Sequence, residues 1–162
     1  MPGLTTSPAE VNNTPPEQAK SAAKTSLYTI VDIPNKGRGL KASTAIRKGT
    51  RIFAEAPLVL VDQPIKTDLA KSDEKIATKL ENVSLEVVSA ILNMHNAHLD
   101  TQPELVGIVH TNAFHIDDGE VGLFKVACLM NHSCRPNVEA EWDPYLGKLV
   151  VHANQDIRQD EE

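Results

Sequence analysis

Aromatic rings are scarce in this sequence: three Phe, two Tyr and one Trp among 162 residues. Any chemistry that needs a phenol hydroxyl has only Tyr28 and Tyr145 to draw on. Cysteine is scarcer still. Cys128 and Cys134 alone exclude a disulfide scaffold. They point to a reducing, intracellular compartment, nucleus or cytoplasm. No run of about 18 or more apolar residues occurs, so neither a transmembrane helix nor a membrane partner is expected. The opening stretch MPGLTTSPAEVNNTPPEQ has no basic n-region and no apolar h-region, which argues against a secretory signal. Basic charge is in deficit: 16 Lys and Arg stand against 22 Asp and Glu, a net charge of −6. That balance excludes broad electrostatic nucleic-acid binding as the main activity. It is compatible with holding a basic, lysine-bearing substrate. No basic cluster marks nuclear import.

What is present suits one globular domain. Apolar residues make up 41% of the chain, and the length fits a single core. Residues 1–25 are Pro-, Thr-, Ser-, Asn- and Ala-rich, with almost no large apolar side chains. Such a segment cannot bury enough surface to offset its ordering entropy, so a disordered tail is expected there. The folded part is expected over residues 26–162.

Leu27 to Val31 is β-prone, and Asn35-Lys36-Gly37-Arg38-Gly39 is a turn cluster. Leu40 to Ala45 resumes extended structure, and Arg47 to Thr50 makes a second turn. Arg51 to Val61 is strand-like, with Pro57 breaking it or confining it to an edge. The period then changes. Asp68 to Leu80 predicts a helix with Leu69, Ile76 and Leu80 inward. Ser84 to His98 predicts another, with Ser84 as N-cap and Leu85, Val88, Ile91 and Leu92 on one face. Pro103 can open a third at its first position, carrying Leu105, Val106 and Val109. From Gly119 the β signal returns. Val121 to Phe124, Asn137 to Trp142 and Lys148 to Ala153 read as strands, the last two joined by a hairpin over Asp143 to Gly147. The whole is an α+β pattern: short strands around a helical insert at about residues 65–112, with no βαβ order.

The densest polar cluster is Asn131-His132-Ser133-Cys134-Arg135-Pro136-Asn137, directly after the apolar run Val126 to Met130. Amide, imidazole and thiol groups on a loop leaving the core can bind a polar ligand. They can equally satisfy backbone groups, and composition alone favours that plainer role. His95 and His98, three apart on the second helix, lack a third ligand, so surface histidines are the expectation rather than a metal pair. His132 and Cys134 would make a nucleophile and base only in a geometry that residues two apart on a loop rarely adopt.

The heptapeptide NHSCRPN resembles the signature loop of SET-domain lysine methyltransferases. KGRGLKA at residues 36–42 resembles that family's Gly-x-Gly motif, and IRKGTRIFAEAPLV at 46–59 resembles the strand that follows. TNAF at 111–114 and GLF at 122–124 resemble the SET-and-MYND type and related fungal SET proteins. LGKLVVHANQDIRQDEE at 146–162 resembles the family's strand and D-I-x-x-G-E-E turn, with Asp160 where Gly is usual. Five segments in order make the resemblance specific. Cysteines for a MYND finger are lacking.

The resemblance implies a β-rich SET fold and S-adenosylmethionine as cofactor. It implies cofactor contacts at Lys36, Gly37, Arg38, Gly39, Asn112, Asn131 and His132, with Phe114 packing beside Asn112. Glycines let backbone approach a ligand, and a lysine can meet the cofactor's carboxylate. It implies a lysine-bearing protein substrate, histone included, and hence a chromatin setting. Cys134 matches a cysteine that ligates zinc with three cysteines of a segment after the SET domain, so zinc is expected only with such a cluster. The family's catalytic tyrosine follows the G-E-E turn in a strand resembling E-[LI]-T-x-x-Y. No residue here matches it, because that position lies beyond Glu162. The expectation is therefore a partial SET domain, without its closing strand and following segment and impaired in activity. A second reading is a non-catalytic, SET-derived module that binds cofactor or protein.

Overall fold

The chain is described from a computed structural model over residues 26–162. The tail expected over residues 1–25 falls outside the described residues. The described chain runs β1 (Tyr28–Ile33), β2 (Gly37–Ala42), β3 (Arg51–Glu55), β4 (Val59–Asp62), α1 (Leu69–Leu80), α2 (Leu85–Leu92) and α3 (Glu104–Asn112). It continues with β5 (Phe114–Asp117), β6 (Glu120–Leu123), a 3-10 helix (Ala127–Leu129), β7 (Val138–Asp143) and β8 (Lys148–Ala153). The strands form three small antiparallel sheets: the ribbon β1-β2, the sheet β3-β8-β7 and the sheet β4-β6-β5. The α+β expectation is borne out.

Local chemistry explains most boundaries. Pro57 falls between β3 and β4, where a missing N–H would otherwise break a ladder. Asp68 caps α1 by accepting from the Lys71 amide at 3.2 Å, and Ser72, Ile76 and Leu80 form the buried stripe. Ser84 caps α2 in the same way, accepting from Val87 N at 3.4 Å. Pro103 is the N-cap of α3 rather than its first helical residue, and it has no side-chain oxygen to offer. The cap comes from another helix: Asp73 on α1 accepts from the amides of Leu105 and Val106 at 2.9 and 3.1 Å.

Three expectations need correction. Gly37 to Gly39 lie in β2, paired with Val31 to Ile33, and only residues 34–36 turn. Asn35 and Gly37 take positive φ of 63° and 72°, which makes the turn tight enough for pairing to resume at Gly37. The second helix ends at Leu92, not His98. The Asn93 side chain folds back onto the Ser89 carbonyl at 2.7 Å, an alternative to continuing the helix. Its inward face is also different. Ile91 is fully buried and Val87 and Val88 pack on the core, whereas Leu85 and Leu92 are 86% and 45% exposed. Strand β5 and the 3-10 helix carry no strong local pattern and were not expected.

The core has separate parts. A helical part gathers Val61, Ile76, Ile91, Val106 and Leu123 between α1, α2, α3 and the β4-β6-β5 sheet. A second part holds Phe124, Ala127 and Leu149, with Phe53 and Met130 packed against it. A third, of Ala42, Ile46, Ala153 and Ile157, joins the ribbon to the segment after β8. That join is also hydrogen-bonded. Ile46 and Ile157 exchange amide bonds at 2.8 Å, and Ala42 bonds both Asp160 and Glu161 at 2.9 Å.

Candidate functional site

A cleft of about 300 Å³ lies between the β1-β2 ribbon, β3, the loop that follows the 3-10 helix and the segment 155–162. Its wall is half apolar, through Leu40, Ile52, Phe53 and Met130, and half polar, through Lys36, Asn131, His132 and Glu162. That mixture suits an amphipathic small molecule with a few fixed polar anchors.

The loop wall begins with the 3-10 helix. Cys128 secures it: the Sγ accepts from Phe124 N at 3.2 Å and donates to the Asn112 carbonyl at 3.1 Å. Burial pushes this thiol up to about 11, so it stays protonated and acts as a hydrogen-bonding spacer. Asn131 comes three residues later. Its Nδ2 is buried and has no hydrogen-bond partner among the described residues. An unpaired buried amide donor costs about 1–3 kcal/mol, so its place in a cleft wall asks for an acceptor from outside the chain.

The ribbon wall comes against that amide. A Cβ on Gly39 would stand 2.7 Å from Asn131 Nδ2 and 2.8 Å from Ile33 Cγ1. Only glycine lets the strand and the loop meet here. Lys36, in the turn before it, reaches across the cleft to the Glu162 carboxylate at 3.0 Å. Both partners are partly exposed, so this ion pair is weak and exchangeable. Gly37 and Arg38 are solvent-exposed on the same ribbon and are not part of the cleft lining.

The structure therefore brings together Lys36, Gly39, Asn131 and His132. It leaves the Asn112 side chain elsewhere: Nδ2 donates to the carbonyls of His95 and Ile108, both at 2.7 Å. Asn112 meets the 3-10 helix before the loop through its carbonyl, which accepts from Cys128 Sγ. Phe114 sits edge-on to the buried Phe124, with centroids 5.8 Å apart. Two residues that the sequence reading left out of the site also belong to this region. Tyr28 lines the cleft and packs against Phe53, ring centroids 5.2 Å apart and planes tilted by 54°. Burial first, and the Glu55 charge second, raise its phenol above the ordinary value. Glu55, at the end of β3, accepts from the amides of Val126 and Ala127. Tyr28 stood out in the sequence only as one of two phenols, and Glu55 had no local signal.

His132 Nε2 and Cys134 Sγ stand 3.7 Å apart, a proximity the two-residue spacing made unexpected. Both are exposed, and among the described residues no third group is hydrogen-bonded to the imidazole. Among the described residues no three His, Cys, Asp or Glu gather to hold a metal, so these two donors fall short of the four a structural zinc needs. His95 and His98 lie past the end of α2 rather than on it. His95 is exposed, and the His98 ring pairs edge-on with His110 at 6.1 Å. Burial, then His98 and Lys66, lower the His110 pKa. No helix among the described residues is long and apolar enough to cross a membrane.

A glycine-bearing ribbon against a loop of Asn, His, Ser and Cys, within three small antiparallel sheets, defines a class. The chain belongs to the SET domain family, whose model matches residues 37–162. It is 40% identical over 139 residues to the histone-lysine N-methyltransferase set5 of Schizosaccharomyces pombe, covering 86% of this chain and 41% of that protein. It is 31% identical over 142 residues to the human N-lysine methyltransferase SMYD2, covering 78% of this chain and 32% of that protein. The zebrafish (Danio rerio) N-lysine methyltransferase SMYD2-A is 35% identical over 99 residues, 52% of this chain and 22% of that protein. The chain thus spans less than half the length of the curated relatives it matches.

Proposed function

We propose that this chain supplies the cofactor-binding part of an S-adenosylmethionine-dependent protein-lysine methyltransferase. The observation that carries the reading is the buried, unpartnered Asn131 amide in a mixed polar and apolar cleft. Asn131 Nδ2 would donate to the cofactor. Lys36 would exchange Glu162 for the cofactor's carboxylate, as its exposed ion pair allows. Gly39, by letting the ribbon close on Asn131, and His132, on the loop, would complete the set, whereas Gly37 and Arg38 stand outside the cleft. Asn112 would serve by anchoring Cys128 rather than by direct contact.

When bound, the cofactor supplies a sulfonium-borne methyl group to an attacking amine. The chain's part is to position and to dry. A lysine must lose its proton to attack, and an apolar surround lowers its pKa. Phe53, Met130 and Ile52 give the cleft such a surround. Alignment of amine and methyl then provides much of the acceleration. The substrate we propose is a lysine of a basic protein, a histone first, because the fungal relative carries that activity in its name. The net charge of −6 suits such a partner. The setting is then nuclear, with neither nucleic acid nor membrane as direct partner.

Isothermal titration with S-adenosylmethionine tests the reading. The wild-type chain binds, and Asn131→Ala binds roughly tenfold more weakly, the worth of about one hydrogen bond. No binding by the wild type would overturn it.

A further inference from the structure

We propose that Glu55 is a positioning residue of the cleft: its carboxylate sets where Asn131 and His132 stand against the β3 wall. The inference rests on the reading of this cleft as the cofactor site.

Glu55 is the last residue of β3, held in register opposite Leu149 of β8. Its Oε1 accepts from Val126 N at 2.9 Å, and its Oε2 accepts from Val126 N at 3.1 Å and Ala127 N at 3.0 Å. Val126 is the N-cap of the 3-10 helix and has no oxygen to cap it. Ala127 is fully buried, so its amide has no recourse to water. Without Glu55 both donors are orphaned. The helix is three residues long and leads straight into Met130, Asn131 and His132, all of which line the cleft. So short an element has little internal bonding, and its placement depends on what grips its start. Phe53, two residues before Glu55, lines the opposite wall. One carboxylate therefore ties both walls together across some seventy residues of sequence. The Asn131 amide must meet a ligand within hydrogen-bond reach, where a shift of an ångström decides affinity. The Glu55 charge also helps to raise the phenol of Tyr28, which lines the cleft.

Glu55→Gln keeps the size and removes one acceptor, turning an N–H donor toward the helix amides. Glu55→Asp keeps both acceptors on a stem one methylene shorter, and so pulls the same helix toward β3. The measurements are amide ¹H–¹⁵N shifts, thermal unfolding and titration with S-adenosylhomocysteine. Both variants are expected to stay folded, with shifts concentrated at Val126 to His132. Glu55→Gln is expected to bind about tenfold more weakly than wild type. Unmoved Asn131 and His132 amides in both variants would overturn the proposal. So would loss of the whole fold in both, which would make Glu55 a structural residue only. Moved amides in a wild-type background that binds no S-adenosylhomocysteine would sink the cofactor reading and leave the positioning role standing.

Discussion

Cys128 and Cys134 are the same residue type in opposite circumstances. Cys128 is sealed by Phe124 N and the Asn112 carbonyl, with its pKa pushed up to about 11. Cys134 is exposed beside the His132 imidazole. The thiolate is the reactive form, so at pH 8 Cys128 is almost entirely protonated and shielded. Iodoacetamide at that pH should label Cys134 and spare Cys128 in the native chain, as read by peptide mass spectrometry. Equal labelling would mean that the 3-10 helix opens readily. At this scale the sequence was legible where chemistry sits in one segment. The Asn-His-Ser-Cys loop and the glycine ribbon were visible as motifs, and Gly39 proves to abut Asn131. Asp160 was visible as a departure from Gly, and its φ of 64° accounts for the usual preference there. Glu55 was not visible, and Tyr28 was visible only as one of two phenols, without its place in the cleft. An acid at a strand end and a tyrosine on an edge strand say nothing until chain reversal brings their partners to them.

Elements were legible in proportion to how far local chemistry decides them. The cap at Ser84 and the strand break at Pro57 are local and appear as expected, and Asp68, read as the first residue of its helix, is that helix's cap. The face of α2 is not local. Apolar residues stand on several sides of that helix, and the neighbours that cover Ile91 and Val88 rather than Leu85 come from α1, α3 and the sheet. The N-terminus of α3 is likewise a tertiary matter. Pro103 cannot cap it with a side chain, and Asp73 reaches over from α1 to take two amides. Asp73→Ala removes a carboxylate cap on partly buried donors. It should lower stability by about 1–2 kcal/mol in urea unfolding, the range for losing such a cap. Asp73→Asn retains one acceptor oxygen and should recover part of that loss. A neutral Asp73→Ala would show that water caps α3 equally well.

At the scale of the whole molecule, the described residues divide their labour among three apolar cores. The helical core around Ile91 lies between the three helices and the β4-β6-β5 sheet. The cleft is built on the other side, from the ribbon, β3 and the loop: Ala42, Ile46 and Ile157 of one core line it, and Phe53 and Met130 join it to the core of Phe124, Ala127 and Leu149. Cys128 touches the helical core and the Phe124 core and is the narrow bridge between them. This arrangement lets stability and ligand affinity be changed separately. Ile91 is fully buried, and Ile91→Ala should cost about 2–5 kcal/mol through lost contacts and the cavity left behind. At a temperature well below the transition, the folded fraction should still bind S-adenosylmethionine with wild-type affinity, because none of the cleft lining packs on Ile91. Calorimetric unfolding and titration on one preparation read both quantities. A fall in affinity matching the fall in stability would show that the helical core shapes the cleft, with Cys128 as the first place to look for the link.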